Sequence, residues 1–133
     1  MPTTKKTHLA HLEAHAYEGN SAEYHFSLPF LLFQEDGRCI AYCPSLDITS
    51  SGENFNDAMA NFYEMFQLHI EMCVELGTLK EDLLAHGWKV SKSGLTEPSL
   101  ADVMKKQEVK NIEKSRLDYR RVFSPVQIPA PAI

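Results

Sequence analysis

Apolar residues at Phe55, Met59, Phe62, Phe66, Ile70 and Cys73 recur at steps of three and four. That period predicts an amphipathic helix with one buried stripe. Asn54 is placed to cap it, with Asp57 at the third helical position as a reciprocal partner and a favourable charge at the positive end of the helix dipole. Gly77 ends the run after Leu76. Asn61, Glu64, Glu71 and Glu75 fall on the opposite face and read as solvated surface.

The pattern before this helix changes from period 3.6 to period 2. Residues 24–34 are aromatic and apolar throughout their second half, as in a strand buried on both faces. Pro29 lacks an N–H, so it belongs where no ladder bond is needed. Asp36-Gly37 is a hairpin signal, since both residues tolerate positive φ. The returning strand, residues 38–43, places Ile40 and Tyr42 on one face and Cys39, Ala41 and Cys43 on the other. Pro44-Ser45 breaks it, residues 48–51 make a third short strand, and Gly52 closes the sheet run.

The flanks are less regular. Residues 7–17 alternate around Ala10, Leu12, Ala14 and Ala16, although Leu9, Leu12 and Ala16 also suit a short helix. The turn chemistry of Glu18-Gly19-Asn20-Ser21 favours a strand whose hairpin partner begins near Glu23. Residues 78–87 predict a short helix or turn closing at Gly87, and 88–91 a small strand before a loop at 91–96. Pro98-Ser99 opens a second helix running to about Lys106 or beyond. Residues 107–116 are polar, with little to bury. Alternation at 117–123 predicts a last strand joining the same sheet. Pro125, Pro129 and Pro131 predict an extended tail, about 124–133, with poor ladder capacity.

With 133 residues the expectation is one domain, 1–133, with an amino-terminal extension of about 1–23. The net charge of −5, from 18 acidic and 13 basic residues, disfavours nucleic-acid binding by the whole domain and suits a basic protein partner. No signal peptide or apolar run of about 18 residues is present, so the expected location is the cytoplasm.

Candidate chemistry is sparse. His8, His11 and His15 would share a helix face, but on a strand His11 and His15 would stand about 13 Å apart, too far for one metal ion. Cys39 and Cys43 are separated by the same distance, and Cys73 lies on the apolar helix face, so all three read as reduced core residues. His69 lies at the edge of the stripe with no nucleophile motif beside it. No phosphate-cradling glycine loop exists. The expectation is a non-enzyme with no metal and no cofactor. Lys105, Lys106, Lys110, Lys114, Arg116, Arg120 and Arg121 form the one basic cluster. Contact with a nucleic-acid backbone competes there with a plainer reading, a solvated helix face plus a charge-guarded edge strand, which is favoured.

Residues 28–76 resemble the amino-terminal domain of HicB-type antitoxins. The resemblance rests on Pro29, Glu35-Asp36-Gly37, Ile40-Ala41-Tyr42, Pro44-Ser45-Leu46, Gly52-Glu53-Asn54 and Asp57-Ala58, in that order and spacing. It implies an α+β fold, partial RNase H-like, in which an antiparallel sheet of β-β-β-α-β order packs against one long helix. An extra carboxy-terminal helix and strand would follow here. It further implies a homo-oligomer and a protein-binding module that neutralises a small basic RNase toxin, HicA. Glu64 and Glu71 would then steer that partner. Many relatives add a helix–turn–helix domain, whereas residues 98–133 lack that pattern, so specific DNA binding is not expected. The alternatives are a free-standing HicB-like protein that binds RNA or another partner without a toxin, and a metal-dependent enzyme using the amino-terminal histidines.

Overall fold

The computed structural model describes residues 13–16, 22–116 and 118–131. In chain order the elements are β1 (Glu13–Ala16), β2 (Ala22–Glu35), β3 (Arg38–Cys43), β4 (Ile48–Gly52), α1 (Phe55–Leu76), α2 (Leu79–Ala85), β5 (Lys89–Ser91), β6 (Gly94–Thr96), α3 (Leu100–Met104), α4 (Gln107–Ser115) and β7 (Arg120–Pro129). The fold is α+β, with a five-stranded antiparallel sheet and helices on both of its faces. The expected hairpin partner of residues 13–16 is present, as β1 pairs with Ala22–His25. The rest of the 7–17 segment and the turn at 18–21 lie outside the described residues, as do His8 and His11.

The Asp36-Gly37 turn sets the register. Both residues have positive φ, 52° and 80°, and Glu35 pairs with Arg38 across the two-residue loop. The closing pair of such a hairpin exchanges N–H···O bonds. Odd-numbered residues of β2 therefore aim their backbone groups at β3, and even-numbered ones at β7 on the other side. Pro29 is odd, and it falls in the stretch 26–30, between the part of β2 paired to β1 and the part paired to β3. Its missing N–H costs no ladder bond, as the sequence required.

The same parity corrects the expectation of a proline tail. Pro125 and Pro129 stand opposite Ser27 and Glu23, both odd. They occupy pairs that exchange no bonds with β2, and their nitrogens face the outer edge. Ten register pairs from Glu23 to Leu32 thus form with two prolines in β7. The strand runs to Pro129 instead of ending near Phe123. As expected, it joins the main sheet. Prolines and the exposed Arg120 and Arg121 guard this edge against further pairing.

Alternation along β2 divides the core. Phe26, Leu28, Phe30 and Leu32 point to one face, where they meet Ala41, Cys43, Phe62, Phe66, Cys73, Val126 and Ile128. Phe62 stands edge-on to Phe30, with centroids 4.7 Å apart. Asn54 caps α1 by accepting from the Asp57 N–H at 2.8 Å, and Gly77 closes it at φ 71°. Gly52 is required for a different reason. A Cβ there would lie 2.6 Å from the Ala58 backbone nitrogen, so only glycine lets α1 start this close to the sheet. Tyr63 ties α1 to the last strand, its hydroxyl 2.6 Å from Ser124 Oγ and donating to the Pro125 carbonyl at 2.7 Å.

The opposite face holds Leu31, Phe33 and Tyr42, covered by Val109 with Ile112, Met104 and Tyr119 around it. The polar segment 107–116 is therefore a helix with a task, contrary to expectation. Val109 and Ile112, one turn apart, supply enough apolar surface to roof a small cluster. The predicted second helix is also split: α3 stops at Met104 and α4 starts at Gln107. Lys106 lies extended between them, and its Nζ donates to the Pro44 carbonyl at 2.7 Å. Residues 94–96, expected in a loop, pair with 89–91 as a small hairpin. Trp88 precedes it, buried edge-on against Phe26 and donating from Nε1 to the Ser45 carbonyl at 2.6 Å.

Candidate functional site

Helix α1 carries three longitudinal stripes where the sequence reading recognised two. The inner stripe includes Ala58, Phe62, Phe66 and Cys73, all buried. The predicted outer residues Asn61, Glu64, Glu71 and Glu75 are exposed. Between them runs a second apolar line: Met65, Leu68, Met72 and Leu76, exposed by 45, 64, 53 and 66%. Their steps of three, four and four residues put them on one side of the helix. The spacing is present in the sequence, but the exposure of these four residues is not. Nothing among the described residues covers the ridge, so the helix presents contiguous apolar surface flanked by carboxylates. Asp57, Glu64, Glu71 and Glu75 are its only formal charges, and it contains no lysine or arginine. Glu64 and Glu71, the two residues expected to steer a partner, lie on this acidic flank; Glu71 also accepts from Gln67 at 3.2 Å.

The α1–α2 corner gathers the other polar cluster. His69 and Cys73 are one turn apart on α1, and Asp82 comes from α2 after the chain reverses at Gly77. His69 Nε2 lies 3.1 Å from Asp82 Oδ2 and 3.6 Å from Cys73 Sγ. His86 Nδ1 is 2.8 Å from the Asp82 carbonyl oxygen. A catalytic triad needs the two ring nitrogens to serve different partners. Here thiol and carboxylate converge on the same nitrogen, so the histidine cannot relay a proton between them.

Of the other cysteines, Cys43 is fully buried and its thiol is pushed up to about 12 by burial, which removes it as a nucleophile at neutral pH. Cys39 is buried on the same strand face, and all three cysteines are free. Tyr42 is likewise raised, first by burial and then by its hydrogen bond to Asp47, so it stays a neutral donor. A shallow cleft of about 290 Å³ beside it includes Asp47, Thr49, Glu108 and Asn111, but Asp47 already accepts from Tyr42.

The basic cluster is partly spent on the fold. Lys106 holds the Pro44 carbonyl, Arg116 pairs with Glu35 and lies over the Phe33 ring, and Arg120 lies over the Phe55 ring. Lys105, Lys110, Lys114 and Arg121 are exposed. The cations are thus divided between structural contacts and solvated surface. Of the amino-terminal histidines, only His15 falls on a described strand, at the position opposite Glu23. No helix among the described residues is long and apolar enough to cross a membrane.

No family model, curated protein or solved structure matches the chain.

Proposed function

We propose that this chain is a HicB-like, antitoxin-like protein-binding module that docks a small basic protein on the outer ridge of α1. The observation that carries this reading is the ridge itself. Four large apolar side chains stand exposed beside a line of carboxylates, on a helix with no positive residue. Exposed apolar surface rimmed by like charges is the anatomy of an interaction site. The sign of the rim selects the partner, because a basic surface gains from it and an acidic one or a nucleic acid is repelled. Within the main sheet, β2, β3 and β4 precede α1 and β7 follows it, with α2, the β5–β6 hairpin, α3 and α4 in between; leaving out those insertions and β1, this is the β-β-β-α-β succession that the resemblance implies, which supports the reading further.

Leu68 and Met72 lie at the ridge centre, where binding energy concentrates. The test is co-expression with each neighbouring gene product, followed by pull-down and a growth assay. A small basic product should co-purify and lose its toxicity. The Leu68→Ser/Met72→Ser protein should keep its thermal midpoint, since both side chains are already exposed, yet lose the partner. Reversing Glu64 and Glu71 to lysine should slow association roughly tenfold and flatten its salt dependence, with dissociation little changed. The reading falls if no neighbour co-purifies or is toxic. It also falls if Leu68 and Met72 prove to be needed for a dimer of this chain alone.

A further inference from the structure

At the α1–α2 corner an imidazole, a thiol and a carboxylate converge on one point. A neutral imidazole nitrogen offers either one proton or one lone pair. His69 Nε2 faces both Asp82 Oδ2 at 3.1 Å and Cys73 Sγ at 3.6 Å. If it donates to the carboxylate it cannot accept from the thiol. If it accepts from the thiol, it turns a lone pair toward a carboxylate. The one arrangement that serves both is a shared Nε2–H, with the sulfur only a weak acceptor.

We propose that His69, Cys73 and Asp82 form a binding site for a divalent cation of the zinc class. The three donor atoms lie within 4.8 Å of one another. A tetrahedral zinc ion holds sulfur near 2.3 Å, nitrogen near 2.05 Å and carboxylate oxygen near 2.1 Å, which sets S···N and N···O edges of about 3.6 and about 3.4 Å. The observed separations of 3.6 and 3.1 Å come close to that figure before any ion is added. Thiolate and imidazole together select zinc over magnesium or calcium, which prefer all-oxygen ligands. On binding, the Cys73 thiol proton leaves to solvent as the sulfur–metal bond forms.

Access and support are both built in. Cys73 is buried beneath the site, while the side chains of His69 and Asp82 are 31 and 24% exposed, so an ion enters from solvent and keeps a water as fourth ligand. His86 donates from Nδ1 to the Asp82 carbonyl and steadies the segment that carries the carboxylate. Two ligands come from α1 and one from α2, so the ion clamps the corner that Gly77 turns. The site borders the apolar ridge on α1 but uses none of Met65, Leu68, Met72 and Leu76, so its test is independent of the docking proposal.

The experiment uses the full chain, stripped with a chelator and titrated with zinc against a chromophoric competitor. A parallel titration with cobalt reads the thiolate-to-metal charge-transfer band. We expect about one zinc per chain, as a single set of three protein donors allows, and a thermal midpoint that rises with zinc. His69→Ala, Cys73→Ser and Asp82→Asn should each weaken zinc by at least about 100-fold, the upper end of what losing even an outer hydrogen-bond partner costs. The cobalt band should vanish in Cys73→Ser and persist in Cys39→Ser. Asp82→Asn changes a part-exposed residue and keeps the test valid if Cys73→Ser does not fold. Zinc that binds undiminished in Asp82→Asn, zinc lost in His11→Ala, or no zinc beyond trace in the wild type would each overturn the site.

Discussion

The two faces of the sheet are built from the same strands by opposite means. On the α1 face, Phe30, Leu32, Ala41 and Cys43 meet a 22-residue helix that brings its own aromatic stripe, and the core there extends to α2, Trp88 and β7. On the other face, Leu31, Phe33 and Tyr42 are roofed by a nine-residue helix whose one buried residue is Val109. The first face is held by area and interdigitated rings. The second is held by position, through anchors at its edges: Lys106 on the Pro44 carbonyl and Arg116 on Glu35. A large apolar stripe can find its sheet by hydrophobic burial alone, whereas a small one must be guided there by polar contacts.

Substitutions in the two faces should separate these means. The largest effect is expected at Phe62, fully buried between Phe30 and Phe66. Phe62→Ala should cost roughly 3–5 kcal/mol, and an unchanged urea midpoint would break the contrast outright. Gly52→Ala should follow at roughly 2–3 kcal/mol, because its new Cβ meets the backbone of Ala58 and not a yielding side chain. If chemical denaturation registers less than half of that, α1 is free to shift and its close approach is not fixed. The smallest effect is expected across the sheet. Val109→Ala should cost about 1–2 kcal/mol, with faster hydrogen exchange confined to α3, α4 and the neighbouring edge of β3. Exchange that quickens equally in α1 would mean that the two faces unfold as one unit, and the distinction would lose its energetic meaning.

How much was legible from the sequence follows the same division. The α1 face was readable because its signals are local: a six-residue stripe, a cap at Asn54, a stop at Gly77 and a turn at Asp36-Gly37 all lie within a few residues of what they control. The roof over the second face was not, because two apolar residues in a charged segment carry no distinctive period. The outer ridge of α1 was visible as spacing yet invisible as exposure, since whether Leu68 is covered depends on what the rest of the chain leaves bare.

The sequence by itself determined the strand alternation, the hairpin register and the limits of α1, since backbone preferences and side-chain period act over a turn or a pair of residues. It even contained the parity by which Pro29, Pro125 and Pro129 all avoid the ladder, although only the pairing of β7 with β2 gave that parity a meaning. Tertiary structure alone decided which face α4 covers and which cations are spent on carbonyls and rings. It alone brought Asp82 to a histidine thirteen positions earlier. Those outcomes depend on the path of the chain between distant residues, and no local period encodes a distance that only the reversal at Gly77 creates.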